Sequence, residues 1–453
     1  MTVAPFDSAL FGALLSDAEV AAELGDAAQL RAMLRVEAAL ARVQGRLGVI
    51  PAEAAARISA VAEALTPDPA SLAEATARDG IPVPALVGAL RAAAGGPAAD
   101  HAHWGATSQD VIDTALVLRL KPVLDVFDRR LAALAQSLAA LADRHRRTLM
   151  VARTRGQQAV PTTFGLKAAV WLAPLLRARQ RLDQLRPRLL LLSFGGAAGT
   201  LAALGDRGHA VAEALAEELG LGLPPLPWHV QRDGLAELAG WLSLVTGALG
   251  KLGQDVLLLA QSEVAELREG GAPGRGGSST MPNKANPVAS GVLVTAARLN
   301  ASLVSALHQA LPQEQERGGP GWQLEWLTLP QMLVTAGCAL RHAQALLETL
   351  DVDPARMRRN LEASNGLVLA EAATFALAEH LSRPQAQNLV KAACAEAKAG
   401  GRHLVDLLAE TTDAPVEWAK LRDPANSLGT TETFIDRVLA EVKGAGYGKA
   451  RRG

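Results

Sequence analysis

The sequence predicts an all-α protein, on three observations. Ala, Leu, Glu and Arg are abundant while aromatic residues make up only 3% of the chain, a composition that favours helix. Leu235, Leu238, Leu242, Val245, Leu249, Leu252, Val256 and Leu259 recur at alternating spacings of three and four, the period of one helix face. No stretch of useful length alternates apolar and polar residues in the period of a strand.

In chain order, the first hundred or so residues read as short helices. Leu30, Leu34, Ala38 and Val43 make one apolar face, and Pro51 and Pro67-Asp68-Pro69 interrupt the pattern. From Asp110 to Arg146 a long helix is expected, with Leu131, Leu134, Leu138 and Leu141 on one face and a kink or break at Pro122. A second should run from about Pro161 to Leu185 and end at Pro187. The eight-residue stripe that follows spans roughly 36 Å at the helical rise and demands a partner along its whole length. Trp241, Leu244 and Val264 widen that stripe, which points to a multi-helix bundle. Val288 to Leu311 reads as a further helix, and two more are expected between Gln331 and Leu350. From Asp353 onward, shorter helices with Gly and Pro punctuation suggest a small C-terminal unit.

Composition narrows the function classes. With 453 residues the chain can bury a large core in two or three packed units. A net charge of -1 supplies no global field to recruit nucleic acid or an anionic membrane. No run of apolar residues reaches the ~18–20 that a membrane span requires, and the N-terminus shows no secretory pattern. Cys338 and Cys394 lie in apolar helical stretches and read as buried free thiols of a reducing compartment, so a cytoplasmic protein is expected. The histidines show no paired spacing suited to zinc, and neither a P-loop nor a GxGxxG turn is present, so no metal and no nucleotide cofactor is expected.

The chemistry concentrates in Gly274 to Pro287, GRGGSSTMPNKANP. Gly270, Gly274, Gly276 and Gly277 let the backbone bend, because Gly reaches positive φ without steric cost. Ser278 and Ser279 bring hydroxyls and N–H groups to where an anion can approach, and Lys284 adds a positive charge. Taken alone, such a segment is as readily a mobile surface loop. Three other stretches gather polar groups. His103 to Asp110, HWGATSQD, offers hydroxyls before a helix N-terminus, suited to a carboxylate or, equally, to capping by Thr107 or Ser108. ARTRGQQAVPTTFG, from Ala152, carries Arg153, Thr154, Arg155 and Gln158; an arginine can hold a carboxylate bidentately, and a solvated turn fits as well. LPQEQERGGPGWQLEW, from Leu311, mixes Arg317 and Glu325 with Trp322 and Trp326, which read as core or interface residues. His229, Arg232 and Asp233 in PWHVQRD open the long striped helix and read as a capping cluster rather than as catalytic groups.

The string SSTMPNKANP resembles the SSxMPxKxNP signature of the fumarase/aspartase superfamily, and the other stretches arrive in that superfamily's order. Within it, HWGATSQDVIDT, PWHVQRD, GGSSTMPNKANPV, PQEQER and MRRNLEASNGLVLAEA most resemble the 3-carboxy-cis,cis-muconate cycloisomerase family, lactonising enzymes of protocatechuate breakdown. The resemblance implies an all-α protomer of three domains, here 1–109, 110–352 with a mobile serine loop at 270–287, and 353–453. It implies a homotetramer whose central helices form one bundle and whose active sites draw on different protomers. It further implies a cofactor-free reaction on a di- or tricarboxylate. Ser278 would remove a proton beside a carboxylate, with Lys284 stabilising the charge. His103, Thr107, Ser108, Thr154, Arg155, Gln158, Met281, Asn286 and Arg317 would bind substrate.

Departures from the family pattern sharpen the expectation. Several relatives carry histidine in place of Gln158, and HKRNP in place of Asn283 to Pro287; Ala285 removes one cation that a tricarboxylate would use. Glutamine cannot act as a general acid. A departing carboxylate, with a reference pKa of about 4, needs no protonation, whereas an amine or hydroxide would. Gln158 therefore suits lactone chemistry and also suits loss of nitrite, as in a nitrosuccinate lyase. The motifs also admit a C–N lyase of the adenylosuccinate lyase kind. A catalytically silent helical scaffold fits them least, because Ser278, Lys284 and Asn286 are all present.

Overall fold

A computed structural model describes residues 3–270 and 276–444. The protein is all-α in class. After short helices at Gly12–Leu15 and Ala18–Leu24, the main elements are α1 (Asp26–Arg46), α2 (Ala52–Ala64), α3 (Pro69–Asp79), α4 (Val83–Ala94) and α5 (Ser108–Arg144). A hairpin of β1 (Leu149–Thr154) and β2 (Gln157–Thr163) leads to α6 (Phe164–Leu189), α7 (Gly208–Leu219) and α8 (Asp233–Leu259). Then come β3 (Leu267–Glu269), α9 (Val288–Gln309), α10 (Pro320–Thr349), β4 (Leu350–Val352) and shorter helices from Pro354 to Gly444.

The striped helix forms as expected. All eight stripe residues of α8 are buried, and so is Trp241, whose indole N–H donates to the Ala178 carbonyl at 2.8 Å. The other two flanking positions do not widen the stripe: Leu244 stays 56% exposed, and Val264 lies beyond the end of α8. Among the described residues two helices, α8 and α9, are by length and mean composition long and apolar enough to cross a membrane, although charged residues such as Lys251 and Arg298 interrupt both, so that neither is an unbroken apolar run. An unbroken apolar run is a stricter test than mean hydropathy over a window, and core helices pass the second.

Several boundaries differ from expectation for identifiable reasons. α5 continues through Pro122. An interior proline costs about 3 kcal/mol, and Leu120, Val123 and Leu124, all fully buried beside it, outweigh that. α6 likewise runs past Pro187, held by buried Leu182, Leu185 and Leu189. The two helices expected between Gln331 and Leu350 are one, α10, which begins at Pro320 and passes through Pro330.

Pro161 does not open a helix; it lies in β2 opposite Val151. The two short antiparallel ladders, β1–β2 and β3–β4, correct the expectation of no strand. The first was illegible because a register shift between Val151 and Arg153 breaks its alternation. Its turn is Arg155-Gly156, with φ of 51° and 80°, the pair of positive values that a two-residue type I′ hairpin requires.

The chain divides into two compact units: residues 1–130, 178–247 and 295–341, and residues 131–177, 248–294 and 342–453. In the first, Met33, Leu40, Leu86, Leu90, Val211 and Leu215 anchor an apolar core. In the second, Leu377, Val390, Leu404 and Leu408 form one cluster, while Val151, Leu361, Val368 and Val405 pack the hairpin against the C-terminal helices.

Candidate active site

The first unit builds a polar cradle at the N-terminus of α5. The Thr107 carbonyl accepts from Val111 N, so Thr107 occupies the cap position, but its hydroxyl does no capping. The carboxylate of Asp110, three residues on, instead reaches back to the cap residue, accepting from Thr107 N at 3.0 Å. Asp110 is 1% exposed and also accepts from Gly195 N at 2.8 Å and Gly196 N at 2.9 Å, with His229 Nε2 2.7 Å away. One buried carboxylate thereby ties the helix start to the glycine turn. Gly196 must be glycine: its φ is +67°, and a Cβ there would sit 3.1 Å from the Gly105 carbonyl.

Arg317 closes the cradle. Its Nη1 donates to Thr107 Oγ1 at 2.6 Å, and Nη2 donates to the Gly196 and Ala197 carbonyls at 3.1 and 2.6 Å. Its Nε is buried without a partner, and among the described residues the half-buried Ser108 hydroxyl makes no hydrogen bond. A helix N-terminus, two hydroxyls and one guanidinium are chemically suited to a carboxylate. His103 stands at the rim with φ 64°, its Nδ1 2.6 Å from Glu37 Oε1. Burial would lower the imidazole pKa, but the hydrogen bond and charge of Glu37, with Asp110 beyond, raise it above the ordinary value.

Behind the cradle lies a buried ionic cluster. Arg232 donates to both oxygens of Asp113, at 2.7 and 3.1 Å, and to both of Glu325, at 2.8 and 2.5 Å. Trp322 Nε1 and Gln109 Nε2 complete Asp113 at 3.0 and 3.1 Å, and Gln109 also donates to the His229 carbonyl. Gln109, Asp110 and Asp113 come from successive turns of α5 and face one way because i, i+3 and i+4 positions share a face. Burial lifts the Glu325 pKa and Arg232 opposes it; the guanidinium itself is held strongly charged by Asp113 and Glu325 despite burial. Arg232 does hold the cap position of α8, its carbonyl accepting from Ala236 N, but its side chain and that of His229, 3% and 2% exposed, serve the buried cluster rather than the helix end. A polar PWHVQRD segment looks the same whether its charges meet water or each other.

The second unit carries the remaining candidates in two groups. Thr154, Arg155 and Gln158 lie exposed at the tip of the β1–β2 hairpin. Its base is fixed by Arg153, which donates to both oxygens of Glu266 at 2.9 and 2.6 Å, with Asn360 Nδ2 on the same carboxylate. The serine loop is the other group; residues 271–275, Gly274 among them, lie outside the described residues. Its ends are pinned by Glu269, whose carboxylate accepts from Ala289 N, Ser290 N and Ser290 Oγ at the start of α9, and by Gly270 N donating to the Thr349 carbonyl. Across the loop, Asn286 donates through backbone N and Nδ2 to the Gly276 carbonyl at 2.7 and 2.9 Å. Ser278 Oγ accepts from Met281 N at 3.1 Å and Thr280 N at 3.4 Å. Ser279, Met281 and Lys284 are exposed.

The structure therefore brings Thr107, Ser108, Arg317 and the flanking His103 together in the first unit, and Ser278, Met281, Lys284 and Asn286 on one loop of the second. Sequence reasoning missed Asp110, Asp113 and Glu37 as the groups that hold them. Among the described residues no group of three or more His, Cys, Asp or Glu is placed to bind a metal ion.

A lyase family model matches residues 10–299, and a model for the adenylosuccinate lyase C-terminus matches residues 366–438. The chain belongs to the fumarase/aspartase superfamily. It is an enzyme of that superfamily by its relatives. It is 48% identical to 3-carboxy-cis,cis-muconate cycloisomerase of Pseudomonas aeruginosa, over 97% of each chain. A crystal structure of the 3-carboxy-cis,cis-muconate lactonizing enzyme from Pseudomonas putida superposes with a TM-score of 0.91 at 44% identity, covering 98% of this chain and 100% of that one. Nitrosuccinate lyase of Streptomyces davaonensis is 38% identical over 96% of this chain and 94% of its own.

Proposed function

We propose that this protein is a 3-carboxy-cis,cis-muconate cycloisomerase, interconverting that tricarboxylate and 4-carboxymuconolactone without a cofactor. The observation that carries the reading is the 48% identity over nearly the whole of both chains, and the carboxylate cradle at Thr107, Ser108 and Arg317 is chemically suited to it. In the lactonising direction one substrate carboxylate oxygen adds to a C=C carbon. The displaced electron pair collects beside a second carboxylate, and the carbon there takes a proton from Ser278 Oγ. In the reverse direction Ser278 removes that proton, the C–O bond breaks and a carboxylate departs.

A serine hydroxyl is a poor base until its alkoxide is stabilised. The Met281 and Thr280 N–H groups already directed at Ser278 Oγ favour the charged form. Lys284 and Asn286 would hold the carboxylate on which charge develops. Thr107, Ser108 and Thr154, with Arg155 and Arg317 as charged partners, would hold the rest of the substrate, His103, Gln158 and Met281 lining it. Gln158 needs no replacement by an acid because the leaving group is already stable as an anion.

The same reading takes the protein as a cytoplasmic homotetramer of three-domain protomers, divided at 1–109, 110–352 and 353–453, with sites assembled from different protomers. Leu244 and Leu258 on α8 and Leu327 on α10, 56%, 48% and 68% exposed, supply apolar surface for a shared bundle. Adding purified enzyme to 3-carboxy-cis,cis-muconate should change its ultraviolet absorbance. Unchanged absorbance at high enzyme concentration, with the tetramer confirmed by light scattering, would remove the proposal. The likeness to nitrosuccinate lyase together with Gln158 supports one second reading, loss of nitrite from nitrosuccinate, for which fumarate release is the deciding measurement.

A further inference from the structure

The first unit contains a cavity of about 530 Å³ that the proposed reaction does not use. Its walls are mostly apolar, with Leu30 and Met33 of α1, Ile112 and Leu116 of α5, and Leu329 and Leu333 of α10. That volume lies in the range that encloses a small organic ligand. α3 lies along one side, and Leu72, its only buried side chain, forms part of the cavity wall. The helix is thus under-packed on the face that borders the space.

One cationic group breaks the apolar lining. Arg119 is only 8% exposed, and it uses its donors sparingly. Nε donates to the Ala115 carbonyl at 3.4 Å and Nη1 to the Leu24 carbonyl at 3.2 Å. A guanidinium has five N–H donors, so three remain, both of Nη2 among them. Among the described residues no carboxylate lies within ion-pairing distance. Burial pulls its pKa down to about 10, with Asp26 and Glu23 opposing from farther off, so at neutral pH it is a charged group with donors to spare. Elsewhere in this unit a buried arginine is saturated: Arg232 is gripped by two carboxylates. A buried charge without a counter-charge is costly, and an anion in the cavity would remove that cost.

We propose that this cavity is a binding site for a monocarboxylate with a flat or extended apolar body, its carboxylate on Arg119 and its body between α1, α3 and α10. The charges facing the space select one carboxylate rather than several. Asp26 stands exposed at the mouth, and Glu325, on the wall, already spends its charge on Arg232, so no second cation awaits a second acid group. The indole of Trp326 on the wall, packed at 4.6 Å against Trp322, suits an aryl body. Glu325 also joins the wall to the ionic cluster behind the α5 cradle.

The test uses the full-length protein with 4-phenylbutyrate and its neutral counterpart 4-phenylbutanol, followed by calorimetric titration. We expect saturable binding of the acid at one per chain, at least tenfold weaker binding of the alcohol, and loss of that discrimination in Arg119→Gln. Leu72→Trp, which fills the cavity and leaves Arg119 in place, should abolish binding while the protein melts no lower than wild type. No binding by the folded wild type, equal binding of acid and alcohol, or undiminished acid binding by Leu72→Trp would each overturn the proposal. Because these readouts are of binding, they stand whichever reaction the enzyme catalyses.

Discussion

The pole around Asp110 and Arg232 and the loop around Ser278 are built on opposite terms. At the pole every charged group is buried and multiply bonded: Asp110 accepts from Thr107, Gly195 and Gly196 while pairing with His229, and Arg232 is enclosed by Asp113 and Glu325. Along the loop, Ser279 to Ala285 are exposed, and the chain is held mainly at its base, by Glu269 and by the Asn286–Gly276 bonds. The comparison teaches a division of labour. The charged groups that brace the start of α5 are over-determined, whereas Ser108 and Arg317 beside them keep unpaired donors and the serine loop is attached mainly by its ends.

If that division holds, Ser278→Ala should lower kcat by about 10²–10⁴-fold, the usual range for a proton-transfer group, with an unchanged melting temperature; a normal kcat would break the comparison at its functional end. Arg232→Leu should do the reverse. It strands Asp113 and Glu325, and removing one partner of a buried pair costs about 3–5 kcal/mol, readable by urea unfolding. A loss near zero would show that the cluster is not bracing the pole.

Glu37→Gln sharpens the contrast through pH. The His103 pKa is raised in the folded protein, so its contribution to stability is full below the unfolded value, about 6.5, and is lost as pH rises through the folded value. The stability difference between wild type and Glu37→Gln should therefore be larger at pH 6 than at pH 9, by about 1–3 kcal/mol for one lost charged hydrogen bond. A difference independent of pH would show that Glu37 serves packing alone. Smallest of all, Ser279→Ala should stay within about 0.5 kcal/mol of wild-type stability, as exposed positions do, and should leave kcat close to wild type if Ser278 is the reacting hydroxyl.

Much of the fold was legible because helix periodicity repeats over many residues. The α8 stripe is buried at each of its eight positions, and the breadth of that signal made local errors harmless. The misses are short or context-dependent. Pro122 and Pro187 were read as breaks, yet they sit inside helices whose buried neighbours outweigh one missing hydrogen bond. The β1–β2 hairpin is too short and too irregular for a period of two to show. In the site, the candidate residues were visible as unusual polar strings, but the string PWHVQRD carried no sign that its arginine meets Asp113 and Glu325, 119 and 93 positions away.

By itself the sequence determined the helical class, the long striped helix and the serine-bearing signature, since each depends on residues near one another in the chain. Which charges face each other was decided only by tertiary structure. Asp110, Asp113, Arg232 and Glu325 are ordinary surface residue types until packing removes water from around them. Their pairing then becomes obligatory, because in a buried place an ion without its partner is too costly to keep.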